Sequence, residues 1–503
     1  MLSNIISYDL VVIGGGINGA GIAADAAGRG LSVLLCEKND LGSGTSSQSS
    51  KLIHGGLRYL EHCEFRLVKE ALAEREILLN IAPHIIKPLC FILPHRPHLR
   101  PAWMIRVGLF IYDLLSKRQQ LASSKWVSFD QTNPLKEHIT HGFKYWDAKV
   151  DVILNAMSAA EQGATILPHT KCISAKRSGN HWFINLQDQE NNTQQIVKAK
   201  ALVNATGPWV NNLFEQALEL KSPKKIRLVK GSHIIVPRLH LQPQAYILQT
   251  EDQRIVFVIP YLEKFSLIGT TDVEYIGDPS DAKITNQEID YLLAIANGHF
   301  KQQISADDII SSFSGVRPLV AADSGAAHDN SRDYCIEIDQ LNSRAPLISV
   351  FGGKITTYRK LSQDVVTMVC DALTKKRVTT TPSWTSRRRL PGGDFDSLSS
   401  LNQMITNKYR WLAPETINRY ANTYGSYTMK LLGDINCQQQ MGQHFGADLY
   451  QCEVEYLQKN EWATCCNDIL WRRTKLGLAI SKEQAQRLCD FMEHQESHTK
   501  QVS

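Results

Sequence analysis

The residues with the clearest chemical potential lie near the amino terminus, where residues 14–19 (GGGING) match the motif GxGxxG. Glycines at these positions allow a tight turn and let backbone N–H groups approach a pyrophosphate at a helix N-terminus. Glu37 follows eighteen residues after Gly19. A carboxylate there can accept hydrogen bonds from the ribose of an adenosine half, and it disfavours the 2′-phosphate of NADP. The pattern predicts a dinucleotide site; a packing turn without a ligand is the alternative.

Two predicted strands flank this motif. Residues 8–13 (YDLVVI) are a β-branched run typical of a buried parallel strand, and residues 31–36 (LSVLLC) form a second run. The small residues from Ala20 to Ala27 favour a helix packed closely against a sheet. Together these segments predict a βαβ unit.

Three later segments favour a long cofactor. Residues 45–51 (TSSQSSK) carry hydroxyls that can donate to phosphate or flavin, although an exposed serine linker has the same composition. Predicted strands also end in small residues at 202–207 (LVNATG) and 351–354 (FGGK). With the turn at 14–19 these make three strand ends marked by glycine, which indicates a cofactor that contacts the chain repeatedly and fits FAD better than NAD.

The rest of the chain divides into distinct parts. Residues 65–81 have the periodicity of an amphipathic helix, and strand-like runs follow at 182–186, 234–236, 255–259 and 347–351. Proline and glycine in residues 387–393 (RRRLPGG) indicate a domain boundary. Residues 394–503 are polar and without clear strands, which predicts a helical C-terminal domain.

Composition limits the function classes. A length of 503 residues predicts two or three structural units, and a net charge of +5 is too small for a dedicated nucleic-acid binder. The 11 cysteines are scattered without a CxxC pair, which predicts reduced thiols in a cytosolic setting and no zinc site. No basic leader precedes the first strand, and no run reaches the ~18 apolar residues of a bilayer span. Any membrane contact is therefore expected to be peripheral.

Six longer motifs resemble those of the FAD-dependent glycerol-3-phosphate dehydrogenases, most closely the aerobic bacterial branch. Their order and spacing also match, from residue 8 to about residue 390. The motifs are residues 50–61 (SKLIHGGLRYLE), 205–209 (ATGPW), 230–233 (KGSH), 268–272 (IGTTD), 314–319 (SGVRPL) and 351–359 (FGGKITTYR).

The resemblance implies an α/β fold with three parts. A glutathione-reductase-like FAD-binding Rossmann domain is expected in residues 1–85, 145–230 and 311–389. A D-amino-acid-oxidase-like antiparallel β substrate-cap domain is expected to be inserted as residues 86–144 and 231–310. Residues 390–503 form the helical C-terminal domain.

The activity implied by the resemblance is oxidation of sn-glycerol 3-phosphate to dihydroxyacetone phosphate. Hydride passes from C2 to flavin N5 of non-covalent FAD, and the electrons pass to ubiquinone or menaquinone of the respiratory chain. The expected location is the cytoplasmic side of the inner membrane, attached peripherally to its lipid surface, and a homodimer is compatible with these expectations. No nucleic acid and no metal is expected. The alternatives are an oxidase with the same substrate and O₂ as acceptor, an amino-acid oxidase on the same fold, and a non-catalytic flavoprotein.

Roles for individual residues follow from the resemblance and from their chemistry. His233 is the expected base, because histidine titrates near neutral pH, and His54 competes for that role. Arg317 and Lys354 are expected at the C2 oxygen and the flavin edge, where positive charge stabilises developing anions. The substrate-binding group is expected to contain Arg58, Tyr59, Thr270 and Arg332, and which arginine meets the phosphate is left open.

The FAD contacts implied by the same motifs form one larger set. They are Gly14, Gly15, Gly16, Ile17, Asn18, Gly19, Glu37, Lys38, Thr45, Ser46, Ser47, Ser50, Lys51, Leu52, His54, Gly55, Gly56, Ala205, Thr206, Gly207, Gly352, Gly353 and Thr357.

A basic, aromatic stretch precedes residue 118. Residues 103–115 (WMIRVGLFIYDLL) mix aromatic and aliphatic side chains, and basic residues flank them. Such a stretch can lie in a membrane interface and attract anionic lipid. A core helix of the cap domain has the same pattern, so both interpretations stay open at this point.

Overall fold

A computed structural model describes residues 5–96, 98–115, 120–149, 154–252, 254–321, 333–340, 344–374 and 381–502. The strands are β1 (Ser7–Ile13), β2 (Val33–Cys36), β3 (Leu52–Ile53), β4 (Lys87–Pro94), β5 (Lys125–Ser128), β6 (His141–Lys149), β7 (Thr165–Leu167), β8 (Thr170–Ser178), β9 (His181–Asp188), β10 (Gln194–Asn204), β11 (Ile226–Pro237), β12 (Ala245–Gln249), β13 (Ile255–Tyr261), β14 (Phe265–Gly269), β15 (Val273–Glu274), β16 (Ser311–Val320), β17 (Cys335–Asp339), β18 (Leu347–Phe351), β19 (His444–Gly446) and β20 (Leu449–Tyr450).

Helices connect and cover these strands. They are α1 (Ile17–Gly28), α2 (Phe65–Ile81), α3 (Ala102–Leu115), α4 (Leu154–Glu161), α5 (Val210–Leu213), α6 (Asn286–His299), α7 (Tyr358–Thr374), α8 (Leu398–Lys408), α9 (Pro414–Tyr424), α10 (Thr428–Leu432), α11 (Gln451–Glu461) and α12 (Lys482–Val502). The predicted helix at 65–81 is confirmed, and the four predicted strand runs lie within β9, β11, β13 and β18.

The first sheet is built around five parallel strands in the order β18-β10-β1-β2-β7. Strand β17 extends it at one edge, and β9 and β8 add an antiparallel branch on β10. Side chains of α1, α4 and α7 pack against one face of this sheet. A second apolar cluster, which includes Trp182 and Phe214, covers the other face. Because both faces are covered, residues 10–13 of β1 are an unbroken apolar run rather than an alternating one.

The second sheet has ten strands and is almost entirely antiparallel. Its main order is β15-β11-β14-β13-β12-β4-β6-β3, with β16 paired to β11 and β5 paired to β6. Within the described residues, β12 and β4 are the only neighbouring strands of this sheet that run parallel to each other. Apolar residues of α3 and the α2 segment pack on one face of this sheet, and α6 packs on the other. The implied flavin-binding α/β fold of the D-amino-acid-oxidase type is confirmed.

Two of the predicted domain boundaries fall inside strands. The boundary at 144/145 falls inside β6, and the boundary at 230/231 falls inside β11. Residues 311–320 were assigned to the FAD domain, but they form β16 and pair with β11 along the whole strand. A division by sheets would group residues 311–320 with the second sheet, because a strand belongs with its hydrogen-bonded partners. The three-part division itself stays a prediction.

The C-terminal region is helical, as predicted, with two corrections. A short hairpin of β19 and β20 interrupts the helices, although the sequence showed no clear strands there. Cys466 and Cys489 form a disulfide, so the prediction of reduced thiols is wrong for these two residues. The region is attached to the first sheet through the Arg473 guanidinium, which donates to both oxygens of the Asp40 carboxylate at 2.6 and 2.7 Å.

Membrane-spanning helices are absent from the part of the chain that the structure describes, since no helix there is both long and apolar enough to cross a bilayer.

Candidate active site

A cavity of about 1480 Å³ is lined by residues of both sheets. This volume exceeds the ~300–1,000 Å³ of a typical small-molecule site. The first sheet contributes the loops that follow β1, β2, β10 and β18, and the second contributes residues of β4, β6, β11, β12, β13 and β16. Parallel strands that end at one edge place their loops together, which is the usual ligand position in an open α/β sheet.

The turn from β1 into α1 requires glycine at two positions. Gly14 has a φ of +108°, and a Cβ there would lie 2.6 Å from the Ala205 carbonyl oxygen. A Cβ on Gly19 would lie 1.8 Å from the Gly14 carbonyl oxygen. The first glycine therefore allows the turn and the last lets α1 pack against it, as the motif predicts.

Glu37 ends β2 beside this turn. Its carboxylate accepts hydrogen bonds from the backbone N–H groups of Gly15 at 2.7 Å and Asn39 at 3.0 Å. Burial raises the pKa of the Glu37 carboxyl, and the backbone donors oppose that shift. Two backbone donors leave free lone pairs on a carboxylate, so Glu37 can also receive a ribose diol.

The hydroxyl-rich segment 45–51 is hydrogen-bonded to α1 and to the second sheet. The Ser46 hydroxyl accepts from the N–H of Ile17 in the first turn of α1 at 3.0 Å, and the Thr45 hydroxyl donates to the Val316 carbonyl at 2.6 Å. The Lys51 ammonium donates to the Ser47 carbonyl at 2.7 Å. These contacts contradict the alternative of an exposed serine linker.

His233 lies on β11, in the wall of the cavity. Its Nε2 atom is 2.8 Å from the Ser50 hydroxyl, and its ring stacks on Phe313 with centroids 4.7 Å apart. Burial, and then the positive charges of Arg317 and Lys51, lower the pKa of His233 to about 3. The imidazole is therefore neutral near pH 7, which is the form that accepts a proton.

Lys354 follows the glycine pair at the end of β18. Gly352 and Gly353 have φ values of +77° and +101°, which only glycine adopts readily. The Lys354 Nζ lies 3.8 Å above the ring of Tyr59, and it has no hydrogen-bond acceptor among the described residues. A desolvated ammonium held only by an aromatic face can receive an anionic group.

Arg317 lies on β16 and is 37% exposed. Its Nη2 atom donates to the Thr271 carbonyl at 3.0 Å and to the Asp272 carboxylate at 3.3 Å. The Thr270 hydroxyl donates to the same Thr271 carbonyl at 3.0 Å. Asp272 belongs to the motif at 268–272 but was not predicted as a site residue, and in the structure it orients the Arg317 guanidinium.

A second carboxylate that the sequence analysis missed lies behind the wall. Glu288, at the start of α6, accepts from the hydroxyls of Ser232 at 2.8 Å and Thr271 at 2.7 Å. The Lys230 ammonium is 2.8 Å from the same carboxylate. Residues 285–288 (TNQE) have the sequence of a capping box, which the structure contains, but only tertiary packing brings that box against β11.

Most of the predicted site residues line this cavity. Besides His233, Arg317, Lys354, Tyr59 and Thr270, they are Gly14, Gly16, Ile17, Asn18, Glu37, Lys38, Thr45, Ser46, Ser50, Lys51, Leu52, His54, Gly56, Ala205, Thr206, Gly207, Gly352 and Gly353.

The remaining predicted residues fall into two groups. Five are next to lining residues in the sequence but do not line the cavity themselves: Gly15, Gly19, Ser47, Gly55 and Thr357. The side chain of Arg58 and the whole of Arg332 lie outside the described residues.

These residues fit a long flavin dinucleotide. The glycine turn and Glu37 suit an adenosine and pyrophosphate end, and the Asn18 Oδ1 and Lys354 Nζ are buried polar atoms without a hydrogen-bond partner among the described residues. A polar ligand that runs along the cavity would supply such partners.

Comparison with known proteins agrees with this geometry. The family model of FAD-dependent oxidoreductases matches residues 9–359, and that of the C-terminal domain of alpha-glycerophosphate oxidase matches residues 383–501. The chain belongs to the FAD-dependent glycerol-3-phosphate dehydrogenase family. The predicted resemblance, the enzyme class and the FAD cofactor are thereby confirmed.

Members of this family resemble the chain over nearly its whole length. A glycerol-3-phosphate dehydrogenase of Pseudomonas aeruginosa is 53% identical, with 98% of this chain and 97% of the relative covered. The aerobic glycerol-3-phosphate dehydrogenase of Escherichia coli is 50% identical, with 96% and 97% covered. The crystal structure of a glycerol-3-phosphate dehydrogenase from Bacillus halodurans, complexed with FAD, is 28% identical and covers 97% of this chain and 94% of its own, with a TM-score of 0.73.

Proposed function

We propose that the protein oxidises sn-glycerol 3-phosphate to dihydroxyacetone phosphate and passes the electrons to a membrane quinone. FAD, when bound, supplies the hydride acceptor. The observation that carries the proposal is that a neutral histidine, a guanidinium and a buried ammonium line the same cavity. This set matches a substrate with a hydroxyl to deprotonate and a phosphate dianion to hold.

The proton and the charges have separate partners. The hydroxyl proton moves to His233 Nε2, which already lies 2.8 Å from the Ser50 hydroxyl at the cavity surface. The Lys354 ammonium, which has no acceptor among the described residues, can donate a hydrogen bond to the C2 oxygen as that oxygen becomes negative. Arg317 presents a planar fork that matches phosphate oxygens in pairs, and Asp272 holds that fork in position.

Anaerobic titration tests the reaction. We expect stoichiometric addition of glycerol 3-phosphate to bleach the flavin absorbance of the holoenzyme, while glycerol and D-alanine leave it unchanged. Glycerol lacks the phosphate, and D-alanine replaces both the phosphate and the hydroxyl. Equal bleaching by D-alanine would favour an amino-acid oxidase, and no bleaching by any of the three would contradict catalysis.

Helix α3 supports a peripheral contact with the membrane. Trp103, Val107, Phe110 and Leu114 recur at helical spacing and are 70, 49, 63 and 68% exposed. The opposite side of the same helix is buried at Ile105, Leu109 and Tyr112. A helix that is apolar on its solvent side as well as its core side favours an apolar environment on the outside.

The same helix supports quinone as the electron acceptor. Met104, Val107 and Ile111 of α3 line the cavity that also contains His233 and Lys354. An apolar acceptor that partitions into lipid can therefore approach the flavin site along α3 without crossing water. We therefore propose that the protein is attached peripherally to a membrane, and the resemblance found in the sequence implies the cytoplasmic side of the inner membrane.

Acceptor assays test this part separately. We expect detergent-free protein to reduce artificial acceptors, and quinone reduction to rise when anionic vesicles are added. Trp103→Ser together with Phe110→Ser should weaken co-sedimentation with vesicles, whereas the control double variant Trp126→Ser with Leu241→Ser, which removes two exposed apolar side chains elsewhere on the surface, should not. Hydrogen peroxide formed in proportion to substrate would instead favour the oxidase alternative.

A further inference from the structure

Helix α3 and the residue Arg100 just before it contact both ends of the segment that carries Tyr59. The Tyr112 hydroxyl accepts from the Gly55 backbone N–H at 2.9 Å. Arg100, two residues before α3 begins, pairs with Glu61 at 2.7 Å. Residues 55–61, which we name the 55–61 loop, are thus fastened to the α3 segment at their first and last residues.

The contact at Tyr112 is part of a buried charged network. Because Gly55 N–H donates to the Tyr112 oxygen, the Tyr112 hydrogen is given to the Asp147 carboxylate at 2.8 Å. The Arg75 guanidinium donates to the same carboxylate at 2.7 Å. Tyr112, Asp147 and Arg75 are each about 1% exposed, so water does not replace these bonds.

The 55–61 loop forms part of the site. A Cβ on Gly55 would lie 2.6 Å from the Tyr112 oxygen, so the backbone and α3 are in direct contact. Tyr59 is buried, and its ring lies 3.8 Å beneath the Lys354 Nζ. A displacement of α3 therefore moves the ring that supports this ammonium.

The two sides of α3 face different surroundings. Tyr112 points into the network, in line with Ile105 and Leu109, while the exposed stripe of Trp103, Phe110 and Leu114 lies on the other side. A helix of 14 residues is a stiff element. An outside contact that fixes the position of the exposed stripe therefore also fixes the position of Tyr112.

We propose that Tyr112 is a positioning residue that transmits contact between α3 and a lipid surface to the 55–61 loop and the substrate site. This inference rests on the proposed lipid contact of α3. When lipid contact fixes the position of α3, the 55–61 loop is restrained and Tyr59 keeps Lys354 directed at the substrate. Without lipid, the loop is less restrained and the substrate is bound more weakly.

Hydrogen–deuterium exchange of the holoenzyme tests this coupling without measuring turnover. We expect vesicles that contain anionic phospholipid to slow exchange in peptides from α3 and in peptides from the 55–61 loop of the wild type. In Tyr112→Phe the α3 peptides should still be protected, but the loop peptides should not. Without vesicles, loss of one buried hydrogen bond should speed exchange of the Gly55 amide by about 5- to 30-fold.

Kinetics with an artificial acceptor provide a second measurement. We expect vesicles to lower KM for glycerol 3-phosphate in the wild type and to leave it unchanged in Tyr112→Phe, with equal vesicle binding by both. Tyr246→Phe is the matched control, because it removes another buried hydroxyl of the second sheet, bonded to Gln244 and outside the cavity. Glu61→Gln breaks the ion pair at the other end of the 55–61 loop, at a partly exposed position. It should weaken the effect of vesicles on KM, and it remains a test even if Tyr112→Phe does not fold.

The outcomes separate the inference from the proposed function. If vesicles protect α3 in both proteins and protect the loop equally in wild type and Tyr112→Phe, the coupling through Tyr112 is refuted and the lipid contact stands. If they protect α3 but never the loop, the inference fails in the same way. If they do not protect α3 at all, the lipid contact is refuted and the coupling with it.

Discussion

Replacement of His233 by glutamine gives the sharpest test of the proposed chemistry. Glutamine is neutral, of similar size, and able to keep a hydrogen bond to the Ser50 hydroxyl that lies 2.8 Å from Nε2. The fold, the bound FAD and most of the substrate affinity should therefore survive. The substitution removes the proton acceptor, and a positioned general base usually accelerates a reaction by about 10²–10⁴. We expect the rate constant of flavin reduction at saturating glycerol 3-phosphate to fall by that factor.

The pH dependence follows from burial. The pKa of His233 is lowered to about 3 from an ordinary value near 6.5, which corresponds to about 5 kcal/mol against protonation of the free site. His233 is thus already neutral at pH 5, and raising the pH to 7 converts no further histidine to the active form. Burial lowers the pKa of Lys51 to about 8, so loss of its charge should be felt above that pH. We expect kcat/KM to show no histidine step near pH 6.5 and to decline above about pH 8.

Stopped-flow absorbance under anaerobic conditions measures both quantities. Ser50→Ala is one control, since it removes the hydroxyl partner but keeps the imidazole, and it should cost less than His233→Gln. His54→Gln is the other, because His54 is the competing base. A near-normal rate in His233→Gln would refute the assignment, and a loss of 10²–10⁴ in His54→Gln alone would transfer the role to His54. A step near pH 6.5 in the pH profile of kcat/KM that disappears in His233→Gln would support His233 as the base but refute its lowered pKa.

Three further predictions follow from the same contacts. Glu37→Ala should release FAD more readily on dilution, measured by flavin fluorescence, because the carboxylate beside the glycine turn is lost; unchanged retention would contradict its role at the ribose. Glu288→Gln should destabilise the second sheet by about 3–5 kcal/mol, since the Lys230 ammonium stays buried without its counter-charge, and an unchanged thermal unfolding profile would contradict this. The free energy of unfolding should also fall as pH drops below about 6.5, because the fold keeps several histidines neutral that an unfolded chain protonates. The loss is at most about 5 kcal/mol per pH unit, and equal unfolding midpoints at pH 7 and pH 5 would refute this prediction. Those histidines are His84, His233, His240 and His299, with pKa values lowered to about 3, 3, 4 and 4 mainly by burial.

The dinucleotide end of the site could be predicted from the sequence because its parts are local. The glycine turn, α1 and Glu37 lie within one βαβ unit, so their spacing along the chain determines their spacing in space. The same reason made the helix at 65–81 predictable, since its apolar residues recur with the period of the helix itself. The role of the longer motifs came from resemblance, and the structure shows why those motifs meet in one cavity.

Tertiary structure decided what local pattern left open. His233 and Ser50 are 183 residues apart and meet only because β11 and the segment after β2 face each other across the cavity. Glu288 could be read as a capping residue, but its contact with Ser232 depends on how α6 packs on the second sheet. The choice between a membrane helix and a core helix at 103–115 also had no local answer, because α3 buries one apolar side and exposes the other. Strand pairing and burial act between distant segments, so they determine which side chains meet and what their pKa values become, whereas spacing along the chain determines only the elements that carry them.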